Sequence, residues 1–405
     1  MTMNNVTDSS SQEAGPDEAG ITLQARSIAS IHDVARDDWD ACAGPDNPFL
    51  LHTFMACLED SGSAVPETGW APAHILLEDM EGALLGCAPA YFKSHSYGEF
   101  VFDHGWADAF ERAGGRYYPK LLIAVPFTPA TGPRLLVPVC DEADAIRKTL
   151  AATIVRVAEE AGVSSAHVNF STAEEWELMG KLGFLQRTGV QFHWENDAYE
   201  DFDGFLTSLN SRKRKAIRKE RREAVENDIE IVQLTGAELT SDVWDAFYAF
   251  YRDTGTRKWG TPYLTREFFD LLGERMGDEV LLVMCRREGR WIAGALNLIG
   301  KKTLFGRYWG CVEDHRMLHF EVCYYQAIDY AIAHGLERVE AGAQGSHKIQ
   351  RGYMPMHTYS THWIEHGGLR DAVANYLKEE GQHIDWEVEA IEENYSPFRK
   401  TDQDL

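Results

Sequence analysis

The sequence predicts two tandem α/β domains, each a mixed, mainly antiparallel sheet flanked by helices, related by internal duplication. Two observations carry this. The run with Gly183, Phe184, His193 and Trp194 returns as Gly352, Tyr353, His362 and Trp363, each residue 169 positions later (352 − 183). Upstream of both copies lie an apolar helix-like segment closed by glycine (152–162, 323–335) and a short strand-like run (166–170, 338–341). Solenoid units repeat every ~20–50 residues, so a period this long is a whole domain. Size agrees: 405 residues exceed the roughly 250–300 at which a single core stops growing.

Each element follows from local pattern. Residues 48–60 carry apolar positions at helical spacing until Ser61-Gly62 ends them. A hairpin follows, with strands 73–77 and 84–92 about a turn at 79–82. The Gly- and aromatic-rich stretch 98–115 reads as a long functional loop or an irregular insertion, and 120–138, holding TPATGP, as a turn-rich segment between apolar runs. Ile146, Leu150, Ile154 and Val157 mark a helix over 144–161 that Gly162 caps. The second half repeats the order: a helix at 241–251, strands 279–286 and 291–299 about Glu288-Gly289, a strand at 303–311, and a helix at 320–334. The expected domains are 22–200 and 201–385, the second opening on a charged helix at 209–226, with a disordered tail at 1–21 and a C-terminal tail at 386–405.

Composition narrows the function classes. No apolar run approaches the ~18 residues of a membrane span, and the polar, acidic start lacks a signal pattern, so a cytoplasmic protein is expected. Seven scattered cysteines without a CxxC pair argue against a zinc site or a disulfide framework. A net charge of −25 disfavours DNA and anionic membranes. Against that background eight of the eleven residues from 212 to 222 are basic. Such a concentration suits an anionic partner, a phosphate chain or an RNA backbone.

Two motifs then coincide with a known family. The order of elements resembles the GNAT acetyltransferase fold, and the tandem pair resembles the FemABX aminoacyltransferases, which transfer amino acids from aminoacyl-tRNA to peptidoglycan precursors. Leu209-Asn210-Ser211-Arg212-Lys213-Arg214-Lys215-Ala216-Ile217-Arg218-Lys219 is similar to that family's L-S-x-K-T-R-x-N-I-x-K. His347-Lys348-Ile349-Gln350-Arg351-Gly352-Tyr353 looks like its F-K-x-x-F/G-F-G, with Lys348 on the family lysine. Over roughly residues 38–385 the chain resembles the FemAB-like predicted N-acyltransferases most. The resemblance implies two GNAT-like domains, an activated acyl donor (aminoacyl-tRNA or acyl-CoA) as co-substrate with no bound cofactor, and an amine-bearing acceptor such as a peptide, muropeptide or small molecule. CoA-dependent relatives place glycines at a helix N-terminus to hold the pyrophosphate. Here 310–319, Gly310 to His319, lacks that glycine pattern, so a donor other than CoA is favoured. A CoA-dependent acyltransferase and a non-catalytic peptide- or RNA-binding module are the alternatives.

Transfer to an amine needs a placed carbonyl, a neutral amine and donors for the developing oxyanion. The resemblance points to Lys348 for a donor phosphate or the oxyanion. His319 and Glu321, at the start of a predicted helix, are candidate proton acceptors. Arg212, Lys213, Arg214 and Arg218 would bind the donor, with His347, Arg351 and Tyr353 beside Lys348. Glu340 and Gln344, flanking Gly342, could hydrogen-bond the acceptor. His315 and His319 have metal-pair spacing but no evident third ligand, so no metal is expected. The repeated His-Trp pairs read as structural, each histidine satisfied inside its strand. No Ser/His/Asp or Cys/His nucleophile stands out, which suggests direct transfer.

Overall fold

The structure is a computed structural model that describes residues 23–258, 262–342 and 345–399; the expected tail 1–21 and Gln344 lie outside them. The first half runs β1 (Gln24–Ile28), α1 (Arg36–Ala43), α2 (His52–Asp60), β2 (Trp70–Pro72), β3 (His74–Glu78), β4 (Leu84–Ala88), β5 (Ala90–Lys93), α3 (His104–Arg112), β6 (Lys120–Ile123), α4 (Ala143–Ala161), β7 (Ser165–Ser171), α5 (Ala173–Lys181) and β8 (Leu185–Glu195). The second runs α6 (Phe202–Ser208), α7 (Ser211–Ala224), β9 (Glu230–Leu234), α8 (Ser241–Lys258), α9 (Arg266–Met276), β10 (Val280–Arg287), β11 (Arg290–Ile299), β12 (Thr303–Cys311) and α10 (Leu318–Phe320). A π-helical turn (Glu321–Tyr325), α11 (Gln326–Ala333), β13 (Arg338–Glu340), a 3₁₀ turn (Ser346–Arg351), β14 (Met354–Ile364) and α12 (Gly367–Tyr395) complete it.

These elements form two α/β halves whose sheets fuse. Eleven strands run β2-β5-β6-β7-β14-β8-β13-β12-β11-β10-β9, and β1-β3-β4 form a small second sheet. Pairing among the described residues is antiparallel except for β6 with β7 and β12 with β13. Each half exchanges its last strand: β8 lies beside β13 of the second half, and β14 beside β7 of the first. The duplication is visible in detail. Gly183 and Gly352 have φ of 91° and 92°. Each is followed by an amide that reaches back five residues, Phe184 to Met179 O at 3.1 Å and Tyr353 to Lys348 O at 3.3 Å.

Several expectations are corrected. The return strand 84–92 breaks at Pro89, which has no amide to donate; β4 joins the small sheet and β5 the large one. Within the expected loop 98–115, α3 forms because Trp106 and Ala107 give it a buried face. The expected tail from 386 is instead the end of α12 as far as Tyr395, where Val388 and Ile391 are buried.

The core positions the site. Ile146, Leu150 and Ile154 of α4 pack with Ala166 and Val168 of β7 on one side of the sheet. Strand side chains alternate, so Ser165, His167 and Asn169 occupy the opposite face, and all three are buried too. That polar face continues through the exchanged strands.

Candidate functional site

Lys348 sits in the 3₁₀ turn at the position that Met179 occupies in the first half (348 − 169 = 179). Its side chain is buried, and Nζ donates to the carbonyls of Ala341 at 2.8 Å and Gly342 at 2.9 Å. Burial pushes its ammonium down to about 8, so the charge is largely held at neutral pH and is lost as pH rises through mildly alkaline values. Around it, Tyr324 Oη lies 2.9 Å from His347 Nε2, and the His319 ring stands 5.5 Å from Tyr324 and 6.2 Å from His347. The structure thus brings Lys348, His347 and His319 together.

Helix α7 closes one side of this group. Asn210 caps it by accepting the Lys213 amide at 3.0 Å, and its single buried apolar residue before the last turn is Ile217. Its two carboxylates turn toward the body: Glu220 takes Arg351 at 2.9 Å and Tyr325 Oη at 2.5 Å, and Glu223 takes Arg316 at 3.3 Å. Arg212, Lys215, Arg218 and Arg222 are exposed along the outer side, with Lys213 and Arg214 half-buried. Arg218 reaches Asp203 at 2.8 Å, a solvent-exposed pair worth little.

Three expected site residues have other tasks. Arg351 is buried, stacked 3.4 Å from the Phe320 ring centre and bonded to Glu220 and to the His347 carbonyl, so it fastens α7 rather than facing a donor. Tyr353 is fully buried with its hydroxyl on the Tyr324 carbonyl. Glu321 is held by Arg221 at 2.9 Å and Gln326 at 2.8 Å; burial raises its affinity for a proton and Arg221 opposes this. Its carboxylate is engaged in that ion pair and is not poised for proton transfer.

Glu340 is buried at the end of β13, and burial pushes its carboxyl up to about 7. His193 Nε2 stands 4.0 Å from Glu340 Oε2 and 3.4 Å from Gln191 Oε1. The imidazole is pushed down to about 3 by burial, with Arg338 and Lys348 adding to the effect. Its Nδ1 and Glu340 Oε2 have no hydrogen-bond partner among the described residues, so this histidine is bonded at Nε2 alone, which corrects the expectation that it is satisfied.

By the repeat offset Gln191 corresponds to Ser360 and His193 to His362 (360 − 191 and 362 − 193 are both 169). In the register His193 faces Glu340 and His362 faces His167. A cavity of about 280 Å³ lies between these two ends, over the β8–β14 pair; Ser360 lines one end and Gln191 the other, with Phe100, Phe102, Arg187 and Glu380 between. Residue patterns marked 98–115 as a functional loop but named no site residue in this region. The charged residues Glu99, Asp103 and Lys120, which join it through buried hydrogen bonds, come from a stretch read as a loop and a turn-rich segment, and all three are at most 4% exposed. A lysine directly inside an apolar run, as in Lys120-Leu121-Leu122-Ile123, was the available signal, since lysine is rarely buried unless paired.

The sequence matches the FemAB-like family, described as peptidoglycan biosynthesis or recognition, over residues 30–400. No curated protein matches it. Among solved structures, the fold is similar to FemX, with a TM-score of 0.54 and 12% identity over 84% of this chain and 98% of that one. It is also similar to the C-terminal domain of a putative lysylphosphatidylglycerol synthetase from Agrobacterium fabrum, with a TM-score of 0.51 and 10% identity over 85% of this chain and 95% of that one.

Proposed function

The chain belongs to the FemAB-like family, described as peptidoglycan biosynthesis or recognition, and from that premise we propose that it transfers an acyl or aminoacyl group from a phosphate-bearing donor such as aminoacyl-tRNA to an amine of a peptide, muropeptide or small molecule. The observation that carries this reading is the arrangement of α7. Both of its carboxylates turn inward to Arg351, Tyr325 and Arg316, and Arg212, Lys215 and Arg222 stay on the outside of a chain with a net charge of −25. An outward basic row next to Lys348 suits a polyanionic donor.

The stretch after β12 supports a donor other than CoA. Where a pyrophosphate would need bare amides at a helix start, this chain carries Glu313 and Asp314, and the helix that follows, α10, has three residues. Lys348 steadies the donor side electrostatically and holds the strand-end carbonyls of 341–342 in place, and transfer to the amine proceeds directly. Enzyme action in the cytoplasm is part of this reading.

The test is to titrate the full chain with aminoacyl-tRNA, uncharged tRNA and acetyl-CoA at two salt concentrations, and to follow transfer to a UDP-linked muropeptide by mass spectrometry. Tight, salt-sensitive binding of charged tRNA with a mass gain on the acceptor is expected. Acetylation from acetyl-CoA with no response to tRNA would overturn the choice of donor.

A further inference from the structure

A hydrogen-bonded chain leads from the Ser360 end of the cavity into the first domain. Ser360 Oγ lies 3.2 Å from His362 Nε2, and His362 Nδ1 lies 2.7 Å from His167 Nδ1. His167 Nε2 is 2.8 Å from Ser165 Oγ and 3.3 Å from Tyr117 Oη, and Tyr117 donates to Asp103 Oδ2 at 2.7 Å. Asp103 accepts from Lys120, which also donates to Glu99 at 2.7 Å and to Ser96 Oγ at 2.8 Å. Ser96 is 2.8 Å from the hydroxyl of the half-buried Tyr118.

The anchoring carboxylate gives this chain a direction. An ionised Asp103 can only accept, so Tyr117 donates to it and is left to accept from His167 Nε2–H. His167 Nδ1 then accepts from His362 Nδ1–H, and His362 Nε2 accepts the Ser360 hydroxyl. The Ser360 oxygen therefore turns its lone pairs to the cavity, where Phe100, Phe102, Phe170 and the Glu380 carboxylate, bridged to Arg187 at 2.7 and 2.8 Å, also lie. An acceptor oxygen among aromatic rings, with the Arg187 charge already balanced by Glu380, fits a protonated amine.

We propose that the Ser360 end of the cavity binds the primary ammonium group of the acceptor, and that Ser360, His362, His167, Tyr117 and Asp103 relay one of its protons inward. This rests on the reading of the enzyme as an acyl transferase to amines. The ammonium gives a proton to Ser360 Oγ as the Ser360 proton passes to His362, the shared proton to His167, the His167 Nε2 proton to Tyr117 and the phenolic proton to Asp103. Lys120 hands a proton to Glu99 while taking one from Asp103, and Ser96 and Tyr118 lead to the surface. The neutral amine then attacks the donor's ester or thioester carbonyl. A C–N bond forms, the C–O or C–S bond breaks, and the leaving group departs with that electron pair and takes the second amine proton.

The electrostatics suit a carrier of protons. Burial, with Lys120 and Arg187 adding to it and Asp103 opposing it, pushes His167 down to about 3; burial and the neighbouring His167 and Arg187 hold His362 well below its ordinary range. Both rings are thus neutral and able to pass a proton. Burial works against the charge on Asp103, but Lys120 overcomes it. Burial pushes Glu99 up to about 7, a fitting resting place for a proton near neutrality. Asp103 Oδ1 and Glu99 Oε1 are buried without a partner among the described residues, so each carboxyl has an oxygen free to carry it.

The test uses the full chain labelled with ¹⁵N in its histidine rings, titrated at pH 7 with ethylamine, and with ethanol and propionate as controls. The signals of His362 and His167 are expected to shift together and saturably with ethylamine alone. Ser360→Ala should abolish that response while both rings stay neutral, and Asp103→Asn should alter the tautomer of His362, which it does not touch. If Asp103→Asn fails to fold, Tyr117→Phe breaks the same link with a smaller change. Rings unmoved by ethylamine, a response that survives Ser360→Ala, or a His362 tautomer indifferent to both distant variants would each overturn the proposal. Because none of these readouts needs turnover, an ethylamine response without any acyl transfer would refute the enzyme reading and leave the site standing. Measured transfer without a response would do the reverse.

Discussion

Gly189 of β8 lies directly opposite Thr358 of β14, and the two are one repeat apart in the chain (358 − 189 = 169). The β8–β14 pairing is therefore its own image under the duplication, and the axis relating the halves passes between these residues. A Cβ on Gly189 would stand 2.9 Å from Thr358 Oγ1, a separation too short to hold. Gly189→Ala should destabilise by about 1–3 kcal/mol, the usual range for overpacking. Because threonine is stiff at χ1, the strain is relieved best by removing the hydroxyl, so adding Thr358→Ala should recover most of the loss. A double-mutant cycle of urea midpoints checks this; simple additivity would show that the two do not meet.

The duplication was legible because the glycines and His-Trp pairs repeat at a fixed offset. Strand exchange was not, since β8 has the same alternation whichever half's sheet receives it, and only the register with Glu340 and His167 decides. Lys348 was singled out by its motif, yet its bonds to the Ala341 and Gly342 carbonyls depend on a loop path that no residue pattern states. The Lys120 cluster stayed hidden because its members, Glu99, Asp103, Lys120 and His167, are brought together from an irregular segment and two strands. Spacing reveals neighbours along one helix or strand and not across such a junction. Arg351 and Tyr353 misled for the converse reason: a motif marks where residues are required, and here they are required for packing.

Lys348→Ala should depress turnover by about 100- to 1,000-fold, the range for losing a well-placed donor. It should also lower stability, because the two strand-end carbonyls lose their donor, at about 1–3 kcal/mol for each buried group left unmade. The pH profile separates the two effects. The wild-type ammonium loses its proton at about 8, so the charge-dependent part of the rate should fall as pH rises through that value. Lys348→Arg keeps its charge and should move that limb upward while recovering only part of the rate. A descending limb that stays in place in Lys348→Arg would assign it to another group.

The outward row on α7 makes a salt prediction. Replacing Arg212, Lys215 and Arg222 together with Ala should weaken binding of tRNA and reduce the magnitude of the slope of log K against log salt by about 2–3, roughly one for each phosphate that the helix no longer neutralises. Fluorescence titration across a salt series reads this directly. An unchanged slope would leave the row as a solvated surface.

Glu340 gives the clearest dependence of stability on pH. Its unfolded carboxyl titrates near the ordinary value of 4.5, and burial pushes the folded one up to about 7. Between those values the folded chain holds more proton than the unfolded one, so this group's contribution falls as pH rises from about 4.5 to about 7 and stays low above that. The difference sets an upper bound of about 3 kcal/mol at 1.36 kcal/mol for each pH unit. Glu340→Gln keeps a carbonyl oxygen for the Thr131 amide, whose bond to Glu340 opposes the burial effect, and it removes the ionisable proton. The variant should therefore be more stable than wild type at pH 8, with the advantage vanishing toward pH 5. Urea denaturation of both proteins at the two pH values measures this. Equal differences at pH 5 and pH 8 would mean that Glu340 ionises freely in the folded chain, and the polar face around His193 would then have to be wetter than its burial implies.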